Sequence, residues 1–262
     1  MKTRLYIVLV PLVLALVLQS CVGFTIVRGS GRVTEEDRDV SGFHEVALTD
    51  QGTLHIEVGR KEALRIEAEQ NLMRYLKAQV DGDRLRIGVE PGVVLRNTRP
   101  IHYYLTVTDL DTLVLSGSGK ILAPDLEADS FAVTISGSGD VEMDELQADD
   151  VRLRSSGSGD LAVDRLDADV LEVHLSGSGD LKVADGETRE QDITISGSGK
   201  YVARELESED TTARISGSGT ATIQVSESLN AHISGSGNVN YLGQPAVDTR
   251  VTGSGDVRQI GG

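Results

Sequence analysis

The most regular feature of the sequence is a strict alternation of apolar and polar residues across residues 113–262. In the segment VTISGSGDVEM, Val133, Ile135 and Val141 fall on one parity, and Thr134 and Glu142 fall on the other. A period of two residues predicts β-strands with one buried face. The pattern contains no helical period of comparable length, so the predicted fold class is all-β.

A Ser-Gly-Ser-Gly tetrad recurs within this alternation. It begins at residues 116, 136, 156, 176, 196, 216 and 234, and a Thr-Gly-Ser-Gly variant begins at 252. Most repeats are therefore 20 residues long, which predicts a β-solenoid whose coils stack about 4.8 Å apart by parallel pairing. Stacking creates the core, because one coil cannot bury its apolar face alone. A flexible Gly/Ser linker is excluded by the alternation on both sides of each tetrad.

Equivalent positions of the repeats predict which side chains face the core. The residue before each tetrad and the second residue after it are apolar in nearly every repeat, and we expect them to point inward. The tetrad glycines share that inward register, at places where the wall bends and a side chain would clash. We expect the tetrad serines to lie inside a strand and to face outward. The segment that contains the recurring Leu126, Leu146, Leu166 and Leu206, with acidic neighbours such as Asp129, Asp149 and Asp169, is interpreted as the turn to the next coil.

Residues 29–112 alternate in shorter runs, separated by the turn residues Asp81-Gly82 and Pro91-Gly92. Residues 71–77 are predicted to form one helical turn. We interpret this region as irregular opening coils and the N-terminal cap of the solenoid, with residues 113–262 as its regular part. A separate small β domain is the alternative.

The first twenty residues are predicted to be a signal peptide. Lys2 and Arg4 precede an aliphatic stretch that is too short to span a membrane comfortably. The segment ends in Leu18-Gln19-Ser20-Cys21, which resembles the lipobox of bacterial lipoproteins. The resemblance implies cleavage before Cys21, a diacylglyceryl thioether on its sulfur and acylation, for example with palmitate, of its new amino group. Residues 21–28 would then be the lipid anchor and tether. An ordinary signal with an incidental cysteine is the alternative.

Charge and composition restrict the classes of partner. The formal net charge is −16, which disfavours nucleic acid because a phosphate backbone requires a basic face. The single cysteine excludes an internal disulfide bond, and the aromatic content of 3% disfavours stacking platforms for sugars or bases. Anionic lipid headgroups would repel so acidic a body, so we expect the lipid anchor to hold it at the membrane.

Several segments resemble, in this order along the chain, the putative auto-transporter adhesin, head GIN domain family. The resemblance implies a right-handed parallel β-helix, often on lipoproteins of the bacterial cell envelope, and it implies neither catalysis nor specific site residues. The segments are GSGRV at 29–33, GFHEV at 42–46, LRIEAEQNLMRYL at 64–76, DGDRLRIGV at 81–89 and LTVTDLDTLVLSGSGKI at 105–121, followed by the tetrad repeats.

One outward row carries candidate chemistry. Asp140, Asp160 and Asp180 each follow a tetrad, and stacked carboxylates suggest a weak Ca²⁺ row. We favour the alternative that the row is a charged stripe which keeps the wall soluble, because a flat wall offers few converging ligands. His174 and His232 share an outward column three coils apart, too far to hold one metal ion. We therefore predict no resident metal and no cofactor.

A mixed aromatic and basic cluster lies near the start of the solenoid, at Arg96, Arg99, His102, Tyr103 and Tyr104. We interpret it as a loop and a strand that pack over the cap. The alternative is that it lines a groove. The sequence contains no HExxH, CxxC or GxSxG motif, so we predict no catalytic residues.

Together these patterns predict a non-catalytic lipoprotein of the bacterial cell envelope, an adhesin or surface-interaction module. It would be anchored in the outer membrane, facing the periplasm or the cell exterior, or on the outer face of the cytoplasmic membrane where only one membrane exists. Its expected partners are the membrane, through the lipid anchor, and an envelope glycan or protein. The alternatives are a carbohydrate-active enzyme (a polysaccharide lyase or hydrolase) and a structural protein that self-assembles through solenoid edges or walls.

Overall fold

The structure is a computed structural model that describes residues 24–261, so the signal segment and Cys21 lie outside the described residues. The described chain is a β-solenoid of about eight turns, which confirms the predicted fold class. Within residues 24–261, no helix is long and apolar enough to cross a membrane. The strands are β1 (Thr25–Arg28), β2 (Val33–Arg38), β3 (Glu45–Leu48), β4 (Thr53–Val58), β5 (Ala63–Glu69), β6 (Leu76–Asp81), β7 (Arg84–Val89), β8 (Val93–Arg96), β9 (His102–Val107), β10 (Thr112–Leu115), β11 (Lys120–Ala123), β12 (Leu126–Ile135), β13 (Asp140–Ser155), β14 (Leu161–Leu175), β15 (Leu181–Ile195), β16 (Lys200–Ile215), β17 (Thr220–Gly235), β18 (Asn238–Leu242), β19 (Ala246–Gly253) and β20 (Asp256–Gly261).

The regular coils stack in parallel with the register that the repeat predicts. Val133 pairs with Leu153, which pairs with Val173, and all three side chains are fully buried. Each such side chain contributes about 1.5–3 kcal/mol by leaving water. The predicted inward columns therefore form one continuous core along the solenoid.

The six tetrads that begin at residues 116 to 216 form corners between strands, so the prediction that their serines lie inside a strand is wrong, whereas Ser234 of the next tetrad lies within β17. β12 ends at Ile135, and β13 begins at Asp140. The parallel ladder nevertheless continues through the corner, because the Ser138 N–H donates to the Gly117 carbonyl oxygen of the preceding coil at 3.1 Å. A Cβ atom on Gly137 would overlap with that same carbonyl oxygen, which explains why the position is glycine.

The leucine segment of each repeat is a wall of the solenoid and not the predicted turn. Leu126 pairs with Leu146 in adjacent strands, and Leu146 is fully buried. Pairing is interrupted there for a single residue, at Asp129 and Asp149. A one-residue corner is enough because the neighbouring strand segments keep their alternation. Pairing is likewise interrupted for one residue at Asp144 and Asp164, so with the tetrad each regular coil has three corners and three short walls.

The first coils are stacked out of sequence order. β3 pairs with both β7 and β10, and β4 pairs with both β9 and β11. The coil of β3 and β4 is therefore enclosed between the coil of β7 and β9 and the coil of β10 and β11. Antiparallel pairs, β6 with β7, β5 with β9 and β2 with β5, end the stack at this N-terminal end. The predicted helical turn is present as a 3-10 turn at Met73–Tyr75.

The corner between β3 and β4 is equivalent to a tetrad, although it lacks the repeated sequence. Leu48 pairs with Leu115, and Thr53 pairs with Lys120, so Thr49-Asp50-Gln51-Gly52 occupies the place of Ser-Gly-Ser-Gly. The Gly119 N–H donates to the Asp50 carbonyl oxygen at 3.0 Å, which continues the ladder.

The carboxylate of Glu69 fixes the N-terminal segment to the cap. It is fully buried, and it accepts hydrogen bonds from the N–H of Gly31, the N–H and hydroxyl of Thr98 and the N–H of Arg99. Burial raises the pKa of Glu69, but these hydrogen bonds outweigh it, and the pKa lies below its ordinary value. The Gly-Ser-Gly turn at residues 29–31 is thus held in place by the ionised Glu69 carboxylate.

Candidate interaction surface

An acidic trough runs along one wall of the solenoid and crosses several repeats. Its first part has a volume of about 560 Å³, and its floor is formed by Ala128, Ala148 and Ala168. Outward-pointing side chains flank this floor because they alternate with the small inward residues. The flanking residues are Glu127, Gln147, Asp167 and Glu187 on one side and Asp129, Asp149 and Asp169 on the other.

The trough continues towards the C-terminal end with a change in polarity. Its second part, of about 430 Å³, shares Ala168, Asp169 and Glu187 with the first and extends to Glu207 and Ser226. The floor becomes hydroxylated at Thr188 and Ser208. Since coils rise by about 4.8 Å and the trough spans five such rises, it is about 24 Å long.

Charge in the trough is only partly neutralised within the described chain. Arg165 forms an ion pair with Asp167 at 2.9 Å, and Arg189 approaches Asp169 at 3.7 Å. Asp129 and Asp149 have no ion-pair partner among residues 24–261. Carboxylates repeated at the coil rise repel one another, and a cationic ligand that lies along the trough would remove that repulsion. The surface is therefore suited to extended ligands that carry amino or guanidinium groups.

The predicted aspartate row is present, and its carboxylates bind the backbone. Asp140 accepts a hydrogen bond from the N–H of Asp160 at 3.0 Å, and Asp160 accepts one from the N–H of Asp180 at 2.8 Å. Asp180 likewise accepts the N–H of Lys200 at 3.0 Å. Each carboxylate thus replaces the glycine carbonyl that accepts this N–H in other coils, as Gly119 does for Asp140.

The hydrogen bonds of the aspartate row reduce the number of oxygens that are free to bind calcium. Within residues 24–261, no group of three or more His, Cys, Asp or Glu side chains is arranged to hold a metal ion. One oxygen of each row carboxylate is already used by the next coil, which leaves fewer oxygens for a hard cation. Calcium binding at Asp140, Asp160 and Asp180 is an untested hypothesis, and the structure instead gives the three carboxylates a role as acceptors for backbone N–H groups.

The predicted aromatic and basic cluster is only partly brought together. His102 and Tyr104 lie on the outer face of β9, whereas Tyr103 points into the core and is fully buried. Arg96 lies on β8, where it pairs with Arg28 of β1. Arg99 lies in the loop between β8 and β9 and is exposed. The alternation of the strand separates Tyr103 from its neighbours.

Two residues that the sequence analysis missed complete the outer cluster. The His55 ring stacks on Tyr104 with centroids 4.9 Å apart, and the Arg65 guanidinium lies 4.8 Å from the centre of the same ring. Since β9 lies between β4 and β5, these contacts cover both faces of Tyr104. The ring is therefore occupied by a cross-strand stack and offers no free platform for a sugar.

His55 and His102 also contact each other within this cluster. His55 Nε2 lies 3.2 Å from His102 Nδ1. Burial and the neighbouring His102 lower the pKa of His55 below its ordinary value. His55 is therefore expected to be neutral at physiological pH.

A groove of about 660 Å³ adjoins the cluster, between β2, β5 and Tyr104. Two of its carboxylates have structural partners. Glu57 accepts a hydrogen bond from the Thr106 hydroxyl at 2.7 Å, and Glu62 accepts the N–H of Gly42 at 2.8 Å. These contacts tie the groove to the packing of the cap.

The outward column of His174 and His232 has the predicted register. Arg154 pairs with His174, and Arg214 pairs with His232, which pairs in turn with Arg250. The column is a basic stripe that leads towards the C-terminal end.

The fold defines the chain as a parallel β-solenoid protein. The family model of the putative auto-transporter adhesin, head GIN domain, matches residues 42–164 and 132–245, and the chain belongs to this family. The resemblance expected from the sequence is thereby confirmed.

Solved structures share this fold over nearly the whole chain. A putative adhesin from Parabacteroides distasonis ATCC 8503 is 24% identical, with a TM-score of 0.84 over 90% of this chain and 100% of that chain. A putative adhesin from Parabacteroides merdae ATCC 43184 is 23% identical, with a TM-score of 0.80 over 90% and 99%. A putative lipid binding protein from Parabacteroides distasonis ATCC 8503 is 22% identical, with a TM-score of 0.82 over 90% and 100%. The comparison with curated proteins found no match.

Proposed function

We propose that this protein is a lipid-anchored component of the bacterial cell envelope that acts by surface interaction and not by catalysis. The acidic trough is the observation that carries the proposal, together with membership of an adhesin family. Cys21 would be acylated at the end of the chain next to β1, which pairs with β8 at the N-terminal end of the solenoid. The regular coils and their trough would then project away from the membrane.

The trough favours an extended cationic ligand. Its flanks repeat at the coil rise, and Asp129 and Asp149, which have no ion-pair partner within residues 24–261, lie on the same flank. A glycan with free amino groups or a lysine-rich segment of an envelope protein would place positive charges along this flank. Binding of this kind weakens as ionic strength rises, because the interacting charges are solvent-exposed.

A matched pair of variants tests the proposal. Residues 23–262 would be titrated with a decalysine peptide and with purified envelope polysaccharides, using biolayer interferometry at low and at physiological salt. The variant D129N/D149N/D169N should weaken decalysine binding at least tenfold. The control D144N/D164N/E205Q removes the same number of exposed carboxylates outside the trough and should change binding less than threefold.

Two results would overturn the proposal. Equal losses in the two triple variants would show that net charge, and not the trough, binds the peptide. Release of reducing or unsaturated sugars from the polysaccharides by the wild type would favour the carbohydrate-active enzyme that the sequence analysis kept as an alternative.

A further inference from the structure

The two ends of the solenoid differ in how the stack of coils stops. Antiparallel strands end it at the N-terminal end, whereas β19 and β20 are the last parallel rungs at the C-terminal end. Within the described chain, β19 pairs only with β17, so one of its edges has no strand beside it. An open edge of this kind is a template for pairing with another chain.

The apolar column of the core also ends uncovered at β19. Val247 continues the column of Leu229, and Val251 continues that of Ile233. Both valines are 42% exposed, whereas Leu229 and Ile233 are almost fully buried. The core is thus open to solvent at this end.

The outward residues of β19 carry charges that have no ion-pair partner in the described part of the chain. Among residues 24–261, neither Asp248 nor Arg250 forms an ion pair. Arg250 is in register with His232 and, beyond it, with Arg214, so the column next to Arg250 offers no acidic side chain. An acidic residue beyond Arg250 would therefore be favourable.

The sequence of β19 complements itself under a twofold rotation. In an antiparallel pair of two copies centred on Thr249, Val247 lies opposite Val251, and Asp248 lies opposite Arg250. Both relationships occur twice because of the symmetry. In this register, valines of the two copies contact each other over the open core, and each Asp248 lies opposite an Arg250. Apolar and opposite-charge cross-strand pairs of this kind stabilise sheets.

The backbone groups required for this pairing are available. In a parallel ladder, alternate residues direct both their N–H and C=O to the same neighbour. Through the register of the coils, Asp248 is equivalent to Ala132 of β12, whose N–H donates to the Asp111 carbonyl oxygen of the preceding coil, so even-numbered residues of β19 face β17. Val247, Thr249 and Val251 therefore direct their backbone groups away from β17, towards the open edge.

We propose that a second copy of this chain occupies this edge, forming a C-terminal end-to-end dimer through antiparallel pairing of β19 about Thr249. The twofold axis directs the two N-terminal ends in opposite directions. If Cys21 is acylated, as the function proposed above requires, such a dimer joins two opposing membrane surfaces. The dimer itself depends only on β19 and is testable without the anchor.

Sedimentation equilibrium of residues 23–262 tests this proposal with charge variants. The wild type should show a concentration-dependent equilibrium between monomer and dimer. R250D places aspartate opposite Asp248 at both contacts and should weaken dimerisation at least tenfold. The double variant D248R/R250D restores opposite charges and should return the dissociation constant to within threefold of the wild-type value.

A proline variant keeps the test informative if a charge variant misfolds, as judged by far-UV circular dichroism. Thr249→Pro removes an N–H that faces the open edge and should abolish the dimer while the β-sheet spectrum remains, since edge strands tolerate proline. The proposal is overturned by a wild type that stays monomeric at several hundred micromolar, by a trimer or larger assembly, or by a folded D248R/R250D variant that fails to recover dimerisation. These outcomes leave decalysine binding by the trough unaffected.

Discussion

Gln191 donates a hydrogen bond of 2.6 Å to the hydroxyl of Tyr201 inside a core that is otherwise mostly apolar. Tyr201 is fully buried, and Gln191 is 3% exposed. Gln191 also accepts a long hydrogen bond from Thr211 on the next coil. Burial raises the pKa of Tyr201, so the phenol stays neutral. Its hydroxyl oxygen accepts the hydrogen bond from Gln191. The contrast is Tyr103, also fully buried, whose hydroxyl has no hydrogen-bond partner within residues 24–261.

These two tyrosines should respond differently to loss of the hydroxyl. Tyr201→Phe leaves Gln191 without its partner, so we expect unfolding free energy to fall by about 1–3 kcal/mol. Tyr103→Phe removes an unpartnered group beside the half-buried Asp50, whose pKa burial raises, and should leave stability within about 0.5 kcal/mol of wild type or increase it. Urea denaturation followed by circular dichroism measures both. Equal destabilisation by the two substitutions would contradict the assignment.

The tetrad glycines are predicted to be intolerant of the smallest side chain. A Cβ atom at Gly159 would overlap with the carbonyl oxygen of Gly139 on the preceding coil, and backbone cannot easily move in a stack. We expect Gly159→Ala to cost about 3 kcal/mol or to prevent folding. Ser158→Ala in the same corner is the control, since Ser158 is exposed, and it should change stability by less than about 0.5 kcal/mol. A mild Gly159→Ala would show that the coils are less tightly stacked.

The aspartate row is predicted to stabilise the stack without metal. Asp160→Ala removes the acceptor for the N–H of Asp180 and should lower unfolding free energy by about 0.5–1.5 kcal/mol, whereas Asp160→Asn retains an acceptor and should lose less. Calorimetric titration of the wild type with Ca²⁺ should give no binding heat up to millimolar concentrations. A saturable heat that disappears in Asp160→Ala would instead support the calcium row.

Glu69 should make the cap sensitive to acid. Its folded-state pKa lies below the ordinary value of 4.5, so its contribution to stability is complete above about pH 4.5 and is lost as the pH falls through the folded-state pKa. We expect Glu69→Gln to lower unfolding free energy by about 1–2 kcal/mol at pH 7. Denaturation curves at pH 7, 5, 4 and 3 should show this difference shrinking at the lowest pH values. A difference that is independent of pH would argue against ionised Glu69 as the anchor.

The sequence predicts those features that depend on local periodicity. Alternation places Ile135 and Val141 inside and Thr134 outside, and the burial of these residues confirms it. The trough was also predictable in principle, because Asp129, Asp149 and Asp169 recur every 20 residues. It was missed because that segment was interpreted as a turn. Its neighbours pair as regular strands on both sides of a one-residue corner.

Features that depend on the order of the coils could not be predicted in this way. Nothing local shows that the coil of β3 and β4 is enclosed between two later coils, because parallel pairing joins residues distant in sequence. His55 and His102 are 47 residues apart and meet only as a result of that order. The corner Thr49-Asp50-Gln51-Gly52 lacks the repeated serines, although its terminal glycine and flanking alternation were visible signals.

The central claim, that a lipid at Cys21 holds the solenoid at a membrane, is tested most directly by metabolic labelling. The full-length chain and its Cys21→Ser variant would be produced in a bacterial host fed an alkyne analogue of palmitate, and the labelled protein would be detected after membrane fractionation. The account predicts label and membrane association for the wild type and loss of both in Cys21→Ser. A wild type that is processed and secreted without label, or a Cys21→Ser variant that is labelled equally, would contradict it.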